Sequence, residues 1–389
     1  MEEWKEYRLG EVVNILDYKR IPLSSVERKT REGGFPYYGA QGIIDYIDDY
    51  IFDGTYLLIA EDGENLKSKK QDIAQLAHGK YWVNNHAHIV ESNGICDIRY
   101  LCYILNNIDL SGYITGSAQP KLNQANLSAI SIILPSLNLQ EQIADFISMF
   151  DNKIELNRRI NDNLEQQAQA LFKSWFVDFE PFKKGKFIDS ELGMIPEGWQ
   201  VEELGNITNS ITEKVGKRTD IKVLSPVNTG DLLLSEEYFT KQVYSKNLAK
   251  YIMVAPNDFA YNPARINIGS IGMNTFDFSG CVSPVYVVFR CEKEYHHFFN
   301  IFKATKNFKE EVNTRAIGGV RQTLSYKDFS LIKIVYPPKE VVNQFNKIYS
   351  HIMTLIKKNV LENKRLHQTR ETLLPKLMSG ELKIKDINN

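Results

Sequence analysis

The chain repeats itself. Displaced by 202 residues, Ile132-Ile133-Leu134-Pro135 falls on Ile334-Val335-Tyr336-Pro337, and the match runs on without a gap. Gln142 meets Gln344, Phe150 meets Ile352, Ile154 meets Ile356, Asn157 meets Asn359, Asn161 meets Asn363, and Leu171 meets Leu373. Upstream, Leu122 meets Leu324 and Ile130 meets Ile332. At a displacement of 195, Trp4 meets Trp199 and Leu9-Gly10 meets Leu204-Gly205. The 389 residues therefore make two units of about 200, which begin alike and differ by a few residues of loop. Each is long enough to bury its own core.

The last 40 or so residues of each unit carry a heptad pattern. From Ile147, steps of three and four reach Phe150, Ile154, Asn157, Asn161, Leu164, Ala168, Leu171 and Trp175. The second seam is Tyr349, Ile352, Ile356, Asn359, Asn363, Leu366, Arg370, Leu373 and Leu377. These are a and d positions of a coiled coil, and no Gly or Pro interrupts either run before Pro375. Each predicts one helix of about 30–38 residues, roughly 45–57 Å long. Asn157, Asn161, Asn359 and Asn363 sit mid-seam, where a buried Asn costs stability and sets register, so Asn is expected to face Asn. The matched seams favour pairing of the two helices with each other over pairing of each with another protein. The pair is drawn as antiparallel, although the sequence alone does not set its orientation.

Outside the helices, short alternating runs end at turn signals, as in Tyr56-Leu57-Leu58-Ile59-Ala60 before Glu61-Asp62-Gly63. The expected fold class is α+β, with two mixed α/β domains joined by the two long helices in a pseudo-two-fold repeat. The expected division is a globular domain over 1–136, a central helix over 137–179, a second globular domain over 180–337, a second helix over 338–378 and a tail over 379–389. Glu180-Pro181-Phe182-Lys183-Lys184-Gly185-Lys186 reads as a polar, extended linker.

Charge and composition exclude more than they assign. With 43% hydrophobic and 24% charged residues the chain is neither disordered nor of low complexity. Its 47 basic and 48 acidic side chains exclude binding of nucleic acid by bulk charge, though a basic face fits within a neutral total. Cys96, Cys102, Cys281 and Cys291 form no C-x-x-C pair, so a reducing cytoplasm is the expected location. The acidic start Met1-Glu2-Glu3 lacks the pattern of a secretory signal, and no run of 18 apolar residues spans a membrane.

Enzyme signatures are largely missing. No G-x-G-x-x-G follows a strand, and neither Gly79-Lys80 nor Gly216-Lys217 completes a phosphate-binding loop. Asn262-Pro263-Ala264-Arg265 shares two positions with the Asn-Pro-Pro-aromatic tetrad of adenine methyltransferases, but without a glycine-rich cofactor loop it reads as a structural turn. His86 and His88 alternate and would share one strand face; with no third ligand, a hydrogen-bonded structural pair is favoured over a metal or catalytic site. Asp151-Asn152-Lys153 is an outer helix face, and no nuclease is read there.

Basic residues interleaved with aromatic and amide side chains are more informative, because such segments supply phosphate donors together with groups that read base edges. In the first unit the candidates are Lys19, Arg20, Tyr37, Tyr38, Lys69, Gln119 and Lys121. In the second they are Lys217, Arg218, Tyr261, Asn262, Arg265, Asn267, Arg315, Arg321 and Gln322. Each alone fits a solvated loop; their recurrence in both units makes the case for a nucleic-acid surface.

These residues carry a resemblance. Ile133-Leu134-Pro135 leading into Gln140-Glu141-Gln142-Ile143, Lys153-Ile154-Glu155-Leu156-Asn157 and Ala170-Leu171-Phe172-Lys173-Ser174-Trp175-Phe176 are similar to the specificity subunits of type I restriction-modification enzymes. So are Tyr37-Tyr38-Gly39-Ala40, Tyr261-Asn262-Pro263-Ala264-Arg265, Val282-Ser283-Pro284-Val285-Tyr286 and the tail Leu374-Pro375-Lys376-Leu377-Met378-Ser379-Gly380-Glu381-Leu382. The resemblance implies two target recognition domains, each reading half of a split site in double-stranded DNA, spaced by the helices. It implies no catalysis and no cofactor in this chain. Two methyltransferase (M) subunits would bring S-adenosylmethionine, restriction (R) subunits would bring ATP and Mg, and no membrane is involved. Lys339-Glu340-Val341-Val342-Asn343 departs from the start of the first helix, which puts partner contacts there in question.

Geometry adds an independent expectation: a paired, repeated reader grips DNA as a dimer does, with half-site centres roughly 34–36 Å apart. The differing loops predict an asymmetric, bipartite target. Two other readings stay open. A fused methyltransferase and reader would need an S-adenosylmethionine site, and a coiled-coil scaffold for proteins only would leave the basic loops as mere surface.

Overall fold

The computed structural model describes residues 4–116, 119–239, 241–316 and 323–387. The chain divides into two compact units, and one of them is not contiguous: it holds Met1–Asn157 together with Leu361–Asn389, while the other is Arg158–Val360. The long helices, Leu137–Phe176 and Lys339–Met378, are 40 residues each, about 60 Å, and each contributes to both units.

In the first unit, strands β1 (Lys5–Arg8), β2 (Val13–Ile15), β3 (Glu32–Gly39), β4 (Gly42–Ile47), β5 (Phe52–Ala60), β6 (Ala74–Val83), β7 (Ala87–Ser92) and β8 (Ser131–Leu134) follow in order. Six form one sheet in the order β2-β7-β5-β6-β3-β4, antiparallel except where β3 runs parallel to β6. The central strands are covered on both faces, so Leu57 to Ala60 and Ala87 to Val90 are buried without alternation. Helix Ile98–Asn107 starts where the Asp97 carboxylate accepts the N–H groups of Arg99 and Tyr100. Its Leu101, Ile104 and Leu105 share one core with Ile143 and Ile147 of the first long helix and Leu374 and Leu377 of the second.

The second unit keeps part of this frame. Strands Thr208–Ile211, Val287–Cys291, Phe259–Tyr261 and Ile271–Met273 form an antiparallel sheet in that order, the counterpart of β2-β7-β5-β6. Correspondence extends to single bonds. Lys5 pairs with Leu134 as Gln200 pairs with Tyr336. The N–H of Leu9 meets the carbonyl of Ile130 at 2.8 Å, and that of Leu204 meets Ile332 at 2.8 Å. Gly10 and Gly205 both sit at a close approach, where a Cβ would lie 3.0 Å from Cβ of Ser128 or Ser330.

The helices pair antiparallel within each unit. In the first, Asn157 Nδ2 donates to Asn363 Oδ1 (2.8 Å) and Glu362 Oε2 (2.9 Å), while Arg370 Nη1 donates to Asp151 Oδ1 (2.6 Å). In the second, Asn359 Nδ2 donates to Asn161 Oδ1 (2.8 Å). Asparagine thus faces asparagine twice. The buried stripe drifts near the ends, where Phe172, Phe176 and Leu374 are buried and the seam residues Leu171, Trp175 and Leu373 only partly so. A helix of 3.6 residues per turn drifts by about 20° per heptad against a 3.5-residue repeat.

The linker expectation is corrected. Glu180–Phe182 is a short 3₁₀ turn, and Phe182 packs its ring 5.1 Å from Trp199, beside Phe179 at 5.4 Å and Phe176 at 6.0 Å from the same indole. One phenylalanine outweighs three lysines here, because its ring packs against Trp199. The four cysteines are buried and unbridged, and burial pushes the thiols of Cys102 and Cys281 up to about 12.

Candidate nucleic-acid interface

The units differ where β2 leads to β5, over residues 16–51, and over the corresponding 212–258. The first carries helix Ser25–Thr30 and the β3–β4 hairpin. The second carries a hairpin of Leu224–Pro226 with Leu232–Leu234 and a strand pair of Ile252–Val254 with Gly280–Val282. One frame therefore presents two different sets of polar elements.

In the first unit, Lys19 is exposed at the end of the turn Asp17–Lys19, its ammonium 5.8 Å from the ring centre of Tyr18, which is 78% exposed. Arg20 turns inward: Nη1 donates to Glu61 Oε2 at 2.7 Å and to the Ala87 carbonyl at 2.9 Å, and Nη2 lies 3.2 Å from Asp17 Oδ2. Lys121 Nζ reaches the other Glu61 oxygen at 3.2 Å, with Gln119 exposed beside it. His88, 1% exposed, places Nδ1 2.5 Å from Asp17 Oδ2 and Nε2 2.7 Å from the Leu122 carbonyl. Lys19, Arg20, Gln119 and Lys121, a hundred residues apart in sequence, are thus gathered around one charged cluster. Burial opposes ionisation of both carboxylates, yet the bond and charge of His88 hold Asp17 below the usual carboxylate range, and the bond from Arg20 does the same for Glu61. Asp17, Glu61 and His88 come within 4.8 Å of one another, but Arg20, Lys121 and the Leu122 carbonyl already occupy the atoms a metal would need. His86 lies before β7, not on it, and pairs with Asp62 at 2.7 Å.

The other first-unit candidates lie elsewhere. Lys69 donates to the Ile108 carbonyl at 2.8 Å. Tyr38 is half-buried against Tyr81, and Tyr37 is fully buried, its hydroxyl accepting the Leu23 N–H at 2.9 Å. Tyr261 is likewise fully buried, its ring 5.4 Å from Phe329. The expectation that these two rings lie on the surface is corrected: Tyr37 is buried within β3, where it holds the Leu23 segment, and Tyr261 is buried at the end of its strand.

In the second unit, Asn262 Oδ1 accepts the Ala264 N–H at 3.1 Å, closing a turn that exposes Arg265 and leaves Asn267 half-buried. Among the described residues Arg265 makes no ion pair, and its charge is felt by the phenol of Tyr286, which burial raises. Arg315, at the end of helix Lys306–Arg315 packed on this turn, pairs with Glu311 at 3.1 Å. Arg321 and Gln322 lie outside the described residues.

Lys217 and Arg218 belong to a basic lobe that the sequence reading caught only in part. Segment 213–216 bonds along 249–253, with Val215 N–H to the Tyr251 carbonyl at 2.9 Å and Gly216 N–H to Ala249 at 3.0 Å. This exposes Lys214, Lys217, Lys222, Lys246 and Lys250 on one small lobe over a core of Val215, Val223, Tyr251 and Cys281. Arg218 pairs with Glu213 at 2.6 Å, and Lys222 lies 5.1 Å from the ring centre of Phe278. The density of lysine between 214 and 250 is the signal that marks this lobe.

A family model for the type I restriction modification DNA specificity domain matches residues 1–166. The type I restriction enzyme MjaIX specificity subunit of Methanocaldococcus jannaschii is 26% identical over 99% of this chain and 98% of its own length. The HindI specificity subunit of Haemophilus influenzae is 22% identical over 98% of this chain and all of its own. The solved S subunit of a type I restriction-modification system from M. genitalium shares the fold, with a TM-score of 0.62 over 97% of this chain and 96% of that one at 15% identity. Among the described residues no helix is long and apolar enough to cross a membrane.

Proposed function

We propose that this chain, similar over nearly its whole length to type I restriction enzyme specificity subunits, reads a split, asymmetric DNA target, one unit to each half, and scaffolds the subunits that modify and cut. The observation that carries this reading is the common four-stranded frame bearing two different sets of polar elements. Equal frames dock alike; unequal surfaces read unlike sequences. The chain recognises and does not catalyse. Two M subunits supply S-adenosylmethionine-dependent adenine methylation, R subunits supply ATP- and Mg-dependent translocation and cleavage, and the assembly works in the cytoplasm.

The deciding experiment co-expresses the chain with its M subunit and maps methylated adenines across the host genome. A new split motif that needs both proteins supports the reading. A stable complex with an active M subunit and no new motif overturns it in favour of a protein scaffold.

Two narrower outcomes follow from the surfaces. Arg265→Ala is expected to lose about 1–3 kcal/mol of discrimination at one half-site and none at the other. Binding of targets substituted in each half separately checks this, and equal loss in both refutes the assignment. Replacing Lys217, Lys222, Lys246 and Lys250 by Gln is expected to weaken binding to all sequences. It should also flatten the slope of log affinity against log salt by up to about 0.9 per lost phosphate contact. Titrations at several salt concentrations measure that slope, and an unchanged slope removes the lobe from the interface.

A further inference from the structure

His88 joins the two first-unit segments singled out for DNA, Lys19-Arg20 and Gln119 to Lys121, through bonds to their neighbours Asp17 and Leu122. The Leu122 carbonyl can only accept, so the ring's Nε2 carries a proton. The Asp17 carboxylate already accepts the Ile89 N–H at 3.0 Å and faces Arg20 at 3.2 Å, so it too acts as an acceptor, and Nδ1 donates to it. A ring that donates from both nitrogens is an imidazolium. Every charged group around it fits. Asp17 faces it from the turn, Glu61 from the end of β5 at 3.9 Å, Arg20 and Lys121 bracket Glu61 at 2.7 and 3.2 Å, and Asp62 with His86 close the neighbouring turn.

We propose that His88 is a cationic positioning residue for the first half-site. Its imidazolium clamps the Asp17–Arg20 turn and the Gln119–Leu122 segment into the one arrangement that reads DNA. Loss of the proton leaves a lone pair facing one of two acceptors, so one of the two segments is released. Among the described residues the second unit has no such clamp. Ile15 pairs with Val90 as Ser210 pairs with Phe289, which sets Val287 opposite His88 in the repeat. The dependence on protonation therefore belongs to one half of the target alone.

The inference rests on the DNA-reading role above, and its test separates the two. The intact wild-type chain, labelled on its histidine rings, is expected to show both His88 nitrogens protonated by NMR under the conditions in which it reads DNA. A neutral tautomer there overturns the clamp whatever the chain binds. With M subunits present, discrimination at the first half-site should be weaker at high pH than at low pH while the second half-site holds. His88→Gln should lose on the order of tenfold at the first half-site at low pH and show no further pH dependence. Wild-type reading by the variant, or equal loss at both half-sites, overturns the proposal. Should the variant not fold, the protonation state of the wild-type ring still decides. A wild-type chain that binds no split target refutes the DNA-reading role and leaves the state of the ring to judge the clamp.

Discussion

A fragment ending at residue 178 is expected to be a dimer that reads a symmetric target. In the full chain, residues 361–389 complete the first unit, and Leu374 and Leu377 are each 1% exposed against its core. The fragment lacks them and would leave that groove open to water. It does carry the matching helix end, Leu171, Phe172, Trp175 and Phe176, released from the second unit where it is normally held. A second copy offers this end to the groove of the first, and the first returns it, which is a two-fold, self-complementary exchange. The asparagine pairing survives, since Asn157 would meet Asn161 of the other copy where it now meets Asn363. Sedimentation of the purified fragment checks the dimer, and methylation mapping with the M subunit should return one half-site repeated in inverted orientation. A folded, monomeric fragment would sink the idea.

Phe345→Ala is expected to destabilise the second unit by about 3–5 kcal/mol. Phe345 is fully buried at the start of the second long helix, with its ring 5.1 Å from Phe176, 6.1 Å from Phe172 and 5.7 Å from Tyr349. Truncation removes the ring on which the ends of two helices close, and rings at such spacing cannot collapse into the gap. For a unit of this size the loss corresponds to a fall in melting temperature of about 6–20 °C. Calorimetry that resolves the units should show the second transition moving and the first, whose core does not include Phe345, moving far less. A shift shared equally by both would mean that the chain melts as one body.

What the sequence made legible was whatever the repeat or the heptad encodes. The recurrence of the Lys5–Leu134 pairing as Gln200–Tyr336, the glycines at 10 and 205 and the asparagine pairs all fall at positions that match under displacements of 195 or 202. Partners joined by folding alone were not legible. Arg20 reads as a free cation until Glu61 and Ala87 arrive from strands 41 and 67 residues away. Tyr37 and Tyr261 stand near polar residues in sequence and look exposed, but each lies on a strand whose side chain at that position faces the core. The basic lobe is assembled by bonds between segments more than 30 residues apart, so its lysines are scattered until the chain folds. Linker charge was likewise misleading, because Phe182 had a place against Trp199 that no local pattern displays.

The division of the chain into one interrupted and one continuous unit has a consequence for its synthesis. Residues 1–157 leave the ribosome first, yet the part of the second long helix that closes their core begins at 361. At roughly 5–20 residues per second, the intervening stretch takes about 10–40 s to emerge. The unit encoded second can therefore finish first, while the one encoded first waits with Ile143 and Ile147 uncovered. In that interval the nascent chain presents the same groove that a second nascent chain could fill, so the order of translation sets a race between closing on itself and exchanging with a neighbour on the same message.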